Sequence, residues 1–211
     1  MGILFKWNIE KVILLPFGAL TIFNEDLNRS IFEEFLIVIM GPIFQIIFTL
    51  FVYYFWNLDE VFYYSLSILC FNLLPIYPLD GSKLLNLFLN KLISFKRSHM
   101  IIIMISVLTI FVLILGSDFN LIFLLILMFL FMRVIKEIKT HESMFNRFLL
   151  ERYLKKYRFK KIKKIKSLNL NKMRRDYRHL FYDGFKYVSE GEILKKRLSI
   201  TWENVPKKSK H

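Results

Sequence analysis

A carboxylate, an amide and two prolines occur within nine residues at the end of a long apolar run. They lie in "FNLLPIYPLDGSKLL", residues 71–85, as Asn72, Pro75, Pro78 and Asp80. An ionisable side chain at membrane depth is costly, and it commonly faces a cavity, a partner or a metal ion. This stretch is therefore the first candidate site of the chain.

A purely structural role for Asp80 is the alternative. Asp is a common N-cap, because its carboxylate accepts hydrogen bonds from the free N–H groups of a first helical turn. On that interpretation, Asp80 ends one helix and caps the next, which starts at Lys83. The combination of Asp80 with Asn72 and Pro75 favours a functional site.

The elements around this site are expected to cross a membrane. With 55% hydrophobic and 17% aromatic residues, the 211-residue chain is more apolar than an ordinary soluble domain. About 20 apolar residues cross a bilayer as a helix. We therefore predict an all-α polytopic membrane protein with about four transmembrane helices, which are residues 35–55, 61–79, 100–116 and 119–132.

The second of these spans should not be helical to its end. Pro75 and Pro78 have no backbone N–H to donate and cannot continue a regular helix. We expect residues 61–79 to unwind beside Asp80.

A β-hairpin is predicted before the first span. In "WNIEKVILLPFGALTIF", residues 7–23, β-branched residues lie on both sides of a Pro16-Phe17-Gly18 break. The segment is too polar to span a bilayer and too apolar to be loosely solvated. We expect a membrane-associated hairpin, since non-helical backbone survives at depth only where protein or water satisfies it.

The distribution of basic residues predicts which segments of the chain face the cytoplasm. The net charge is +14, and residues 133–211 alone hold 24 Lys and Arg against 8 Asp and Glu. Because cytoplasmic loops of membrane proteins are rich in Lys and Arg, the loop after the second span and the C-terminal tail should be cytoplasmic. We predict a multi-pass integral membrane protein with both termini in the cytoplasm, divided into a membrane domain (1–140) and a basic cytoplasmic tail (141–211).

Several segments resemble one known family. "NLLPIYPLDG" resembles the second signature, Asn-x-x-Pro-x-x-x-Leu-Asp-Gly, of the site-2 protease family of intramembrane zinc metalloproteases. It is most similar to the branch of the bacterial sporulation protease that activates a mother-cell sigma factor. The segments "VILLPFGA", "EEFLIVIMGP" and "RFLLERY" also resemble that branch. The resemblance covers residues 7–155, and the predicted spans correspond to the last four of the family's six.

The resemblance implies a role for each residue of the first candidate site. Asp80 would be the third zinc ligand, and Asn72 and Pro75 would line the path of the substrate. A zinc ion with three protein ligands and one open position activates water for attack on a peptide carbonyl. The implied partners are the lipid bilayer, a membrane-associated or membrane-spanning protein substrate, and a regulatory membrane protein.

The family's first signature, H-E-x-x-H, does not occur in this sequence. The histidines are His99, His141, His179 and His211, and we interpret His99 and His141 as ordinary interfacial residues rather than substitute ligands. Without two His ligands and the general-base Glu, no catalytic residue is present and the 211-residue chain should be inactive. We expect the missing helix to be encoded upstream of Met1. The alternative is a non-catalytic membrane protein that binds a substrate or partner segment through the groove from Asn72 to Asp80.

The basic tail has interpretations of its own. "KKYRFKKIKKIK", residues 155–166, holds eight Lys and Arg in twelve positions. A solvated juxtamembrane segment is favoured, adhesion to anionic lipid comes next, and nucleic-acid binding is the least favoured. A membrane tether acting through this tail is thus a further alternative function. We expect loose order beyond Lys155.

Overall fold

The computed structural model describes Trp7, Tyr157, Phe159 and the ranges 9–15, 18–23, 26–56, 59–116, 120–155 and 161–203. The chain is mostly helical. The helices are α1 (Ile31–Trp56), α2 (Asp59–Asn72), α3 (Asp80–Leu92), α4 (Phe95–Leu115), α5 (Leu121–Leu154) and α6 (Glu190–Glu203). The strands are β1 (Ile9–Leu15), β2 (Gly18–Phe23), β3 (Lys161–Ile165), β4 (Tyr177–Tyr182) and β5 (Tyr187–Ser189).

The N-terminal hairpin is present. Strands β1 and β2 pair antiparallel, with Val12 opposite Thr21 and Leu15 opposite Gly18. Pro16 and Phe17, where the break was predicted, lie outside the described residues. The association of this hairpin with the membrane stays a prediction.

Two helices of the described ranges are long and apolar enough to cross a membrane. They are Ile31–Phe55 within α1 and Phe95–Leu115, which is α4. Only 11% and 33% of their apolar windows are buried, whereas the core helix of a soluble protein would be mostly enclosed. Their exposed apolar surface fits contact with lipid. The count of four spans stays a prediction, because α2 has only 14 residues and α5 runs on into charged sequence.

Helix α5 is the longest element, at 34 residues, or about 50 Å at ~1.5 Å per residue. It contains most of the predicted span 119–132, although Phe119 lies outside the described residues. The helix continues without interruption through the predicted domain boundary between residues 140 and 141. That boundary stays a prediction.

The expectation of loose order beyond Lys155 is wrong for residues 161–203. Strand β4 pairs parallel with β3 and antiparallel with β5, and α6 follows directly. The all-α prediction omitted this second sheet. The reason is a core of apolar residues dispersed among the lysines, which packs on the aromatic end of α5; its buried members include Phe145, Phe148, Ile165, Met173, Phe181 and Leu194.

The C-terminal unit, residues 161–203, is also tied to the start of α4. The N–H of Phe95 donates to the carbonyl of Met173 at 3.0 Å. The ring of Phe95 stacks on Phe148 of α5, with centroids 4.4 Å apart. The unit is therefore packed against the helices rather than hanging freely from them.

Candidate metal and substrate site

The helix before Asp80 is broken. Helix α2 ends at Asn72, residues 73–79 are not helical, and α3 begins at Asp80. Short turns replace the helical ladder: the N–H of Ile76 donates to Leu74 at 2.8 Å, and the N–H of Leu79 donates to Ile76 at 2.8 Å. The predicted unwinding beside Asp80 is confirmed. The non-helical segment begins at residue 73, directly after Asn72.

Helices α4 and α5 hold the broken segment in place. The hydroxyl of Ser106 on α4 accepts the N–H of Tyr77 at 3.0 Å and lies 3.3 Å from the carbonyl oxygen of Pro75. Ile76 is fully buried and Leu79 nearly so, in a cluster that includes Leu130 and Val134 of α5. The backbone is therefore irregular but firmly anchored.

Gly81 lets α3 start directly on this segment. A Cβ atom added at Gly81 would lie 2.0 Å from the carbonyl oxygen of Leu73 and 2.6 Å from that of Leu74. Real Cβ contacts are never so short, so only glycine permits this approach. The close approach fixes where Asp80 lies.

The Asp80 side chain faces α1 and is about one-third exposed. A Cβ atom at Gly41 of α1 would lie 3.3 Å from Oδ2 of Asp80, while Nζ of Lys83 lies 3.1 Å from Oδ1. The capping alternative is wrong in detail, because α3 starts at Asp80 rather than at Lys83, and its N-cap is Leu79. A carboxylate in the first turn of α3 also interacts favourably with the helix dipole.

Asn72 and Pro75 lie on either side of the point where the helix unwinds. Asn72 is half-buried, and no hydrogen bond of the described residues involves its side chain. Pro75 presents its carbonyl to Ser106. Their assignment to substrate binding stays a prediction.

The structure brings His99 and His141 together, which sequence reasoning did not expect. Their Nδ1 atoms are 2.8 Å apart, and Nε2 of His99 lies 2.7 Å from Oε1 of Glu137. Tyr77 of the broken segment interacts with the same Glu137. Burial lowers the pKa of His141, and the neighbouring His99 lowers it further. The sequence did not predict this contact, because it depends on the packing of α4 on α5. That neither histidine is a substitute zinc ligand stays a prediction.

These groups do not complete a metal site with Asp80. In the part of the chain that the structure describes, no three His, Cys, Asp or Glu side chains come together in an arrangement that could hold a metal ion. His179 lies in the C-terminal unit, and His211 is outside the described ranges. The assignment of Asp80 as a zinc ligand stays a prediction, and the described residues alone do not fit a complete zinc site.

Comparison with known proteins shows which family part of this chain resembles. Residues 55–115, which contain α2, the broken segment, α3 and α4, match the family model "Peptidase family M50". This is the metalloprotease family of the site-2 proteases. The match covers the predicted site residues Asn72, Pro75 and Asp80.

The chain is also similar to a curated relative. The chain is 37% identical over 175 residues to Stage IV sporulation protein FB of Bacillus subtilis (strain 168). The alignment covers 75% of this chain and 59% of that protein. The chain thus matches about three-fifths of the length of its curated relative. The two matches confirm the resemblance to the site-2 protease family and to its sporulation branch.

Proposed function

We propose that this chain supplies the substrate groove and one metal ligand of an intramembrane zinc metalloprotease, which cleaves a membrane-associated or membrane-spanning protein. Asp80 is the zinc ligand, and Asn72 and Pro75 line the path of the substrate. The observation that carries the proposal is the break at residues 73–79, which starts α3 at Asp80 with its carboxylate facing Gly41.

The broken segment suits a peptide substrate. A closed helix has no spare backbone groups, whereas irregular backbone lining a cavity can accept water or an extended chain at membrane depth. The half-buried amide of Asn72 can hydrogen-bond the backbone of a substrate laid beside it as an added strand. Zinc, when bound, would lower the pKa of water and polarise the peptide carbonyl.

The remaining catalytic groups come from outside these 211 residues on this proposal. A catalytic zinc needs three protein ligands, and the sequence contains no H-E-x-x-H. Two His ligands and the general-base Glu would be provided by a helix encoded next to this chain. The 211-residue chain alone should not cleave.

The arrangement in the membrane is part of the same proposal. The chain crosses the bilayer several times with both termini in the cytoplasm, as the distribution of Lys and Arg indicates. The basic residues of 155–166 other than Lys161 contact anionic lipid, and a regulatory membrane protein controls access to the groove. Nucleic acid is not a proposed partner.

Reading the genomic DNA upstream of Met1 tests the proposal. An in-frame apolar segment with H-E-x-x-H, or an adjacent gene that encodes one, supports the protease. Failure of an added H-E-x-x-H helix to restore cleavage in co-expression would favour a non-catalytic membrane protein that binds a partner through the same groove.

A further inference from the structure

A large cleft lies on the side of α3 that carries Asp80. Its volume is about 1070 Å³, and three parts of the chain line it: the start of α1 with the residues before it, one face of α3, and residues of the C-terminal region. From α3 come Leu84, Leu87, Phe88 and Lys91. The proposed active site has not used this cleft.

The α3 residues that line the cleft lie on the same helix face as Asp80. The four α3 residues follow Asp80 by 4, 7, 8 and 11 positions, which at ~100° per residue places all five within about 100° of arc. Lys91 is about 16 Å from Asp80 along the axis at ~1.5 Å per residue. An extended peptide rises ~3.3 Å per residue, so about five residues connect the two points.

The residues of α1 place the cleft on the same side of Asp80 as those of α3 do. It packs against α3, and its Gly41 is level with Asp80. Ile31, Phe32 and Phe35, about two to three turns nearer its start, line the cleft. The cleft is therefore where a chain leaving Asp80 toward the ends of these two helices would arrive.

The walls offer exposed aromatic side chains. Phe32 and Phe88 are 66% and 60% exposed, and Phe35 is 41% exposed. Tyr157, Phe159 and Tyr177 contribute from the C-terminal region. Such a surface suits apolar side chains of a peptide.

The charges of the cleft are not balanced once internal pairs are removed. Asp26 binds Lys155 at 2.6 Å, Asp176 accepts the N–H of Ile31 at 3.3 Å, and Glu33 lies 3.8 Å from Arg29. By contrast, two of the cleft's cations, Lys91 and Lys161, have no ion-pair partner among the described residues. Asp176 also keeps its charge, because a backbone N–H does not neutralise a carboxylate. With the ion pairs set aside, two lysines therefore face one carboxylate, and the cleft keeps an excess of positive charge.

We propose that this cleft binds the flank of the substrate, about five residues from the bond that is cleaved, and selects an apolar segment followed by acidic residues. The apolar part lies on Phe32, Phe35 and Phe88, and the acidic part pairs with Lys91 and Lys161. This inference rests on the proposed function for the identity of the occupant, but the binding itself requires neither zinc nor cleavage.

The test uses the full 211-residue chain in nanodiscs of zwitterionic lipid. The probe is a fluorescent synthetic peptide of about twelve residues, with leucine and phenylalanine followed by glutamates and a benzophenone in its apolar half. Lys91→Glu with Lys161→Glu should raise the Kd about tenfold, and added salt should weaken wild-type binding. A peptide with lysines in place of the glutamates should bind the doubly reversed variant better than the wild type. Cross-links should fall in residues 31–35 and 84–91.

The control pair Lys186→Glu and Lys195→Glu changes the same net charge at exposed positions outside the cleft, and it should leave the Kd within about twofold. Lys91→Gln with Lys161→Gln serves if the reversed variant misfolds. Three results would overturn the proposal: equal binding by all variants, no binding by folded wild type, or displacement of the peptide by phosphatidylglycerol at these lysines. The last result would make the cleft a lipid site. Because no cleavage is measured, loss of the protease proposal alone leaves these results unchanged.

Discussion

Asp80 and Arg152 are both charged residues on helices, but their surroundings differ in kind. The Arg152 side chain is fully buried, and it donates to Asn28 at 2.6 Å, to the carbonyls of Arg174 and Tyr177 at 2.7 and 2.8 Å, and to Glu190 at 3.0 Å. Asp80 is one-third exposed and has one ion pair, to Lys83. A charge with hydrogen-bond partners on every side is structural, whereas a partly exposed carboxylate with a single ion pair is available to a ligand.

The network around Arg152 also explains the "RFLLERY" segment. Oε2 of Glu151 accepts the N–H of Leu27 at 2.7 Å and the amide of Asn28 at 3.2 Å. Glu151 and Arg152 thus join α5 to the chain before α1, and Arg152 also joins it to the C-terminal unit. That chain before α1 forms one wall of the cleft, so the structural charges position the functional surface.

Removing Arg152 should have the largest effect. Arg152→Ala leaves the buried Glu190 without its cation, which typically costs about 3–5 kcal/mol. We expect the C-terminal unit to unfold, as measured by hydrogen exchange of β4 and α6 in nanodiscs. Arg178→Ala, at an exposed position of β4, is the matched control and should change protection little. If α6 remains fully protected from hydrogen exchange in Arg152→Ala, Arg152 does not have the structural role assigned to it here.

Gly81→Ala should come next, because the new Cβ meets the backbone oxygen of Leu73, which cannot rotate away. We expect a loss of about 1–3 kcal/mol in the free energy of unfolding, the usual range for overpacking. Denaturant titration in micelles measures it. Gly191→Ala, where nothing lies within 4 Å, should be neutral. Equal stabilities of the two variants would contradict the close approach.

Acidification should destabilise the C-terminal unit more gradually. Burial lowers the pKa of His179 below its ordinary 6.5, against the opposing hydrogen bond to Glu190. Burial would raise the pKa of Glu190, but His179 and Arg152 together lower it below 4.5. Both groups bind more protons when unfolded, so stability is lost as pH falls below 6.5 for His179 and below 4.5 for Glu190. Hydrogen exchange corrected for intrinsic rates measures this, and His179→Gln should abolish the first phase.

Gly41→Ala should have the smallest effect on stability, and the change should be confined to the surroundings of Asp80. Its Cβ would lie 3.3 Å from Oδ2 of Asp80, tight but adjustable by a small movement of the side chain. We expect a change in unfolding free energy of at most about 0.5 kcal/mol. Zinc affinity of the complemented protein should nevertheless fall. Unchanged affinity would place the metal on the other side of Asp80.

Local chemistry explains what could be predicted. Pro75, Pro78 and Gly81 act on their own backbone, so the broken helix beside Asp80 could be inferred from sequence. The hairpin followed from the residues on either side of its turn. The meeting of His99 with His141 depends on how α4 packs on α5, which no short window of sequence shows. The C-terminal core was missed because its apolar residues are interspersed with lysines that dominate the local charge.

Zinc content measures the central claim most directly. The protein should be purified from cells that express it at its own chromosomal locus, so that any adjoining segment is supplied, and its zinc determined by mass spectrometry. Asp59→Ala, at an exposed carboxylate of α2, should leave zinc unchanged, whereas Asp80→Ala should lose it. If Asp80→Ala retains the zinc of the wild type, Asp80 is not a ligand and the account is wrong.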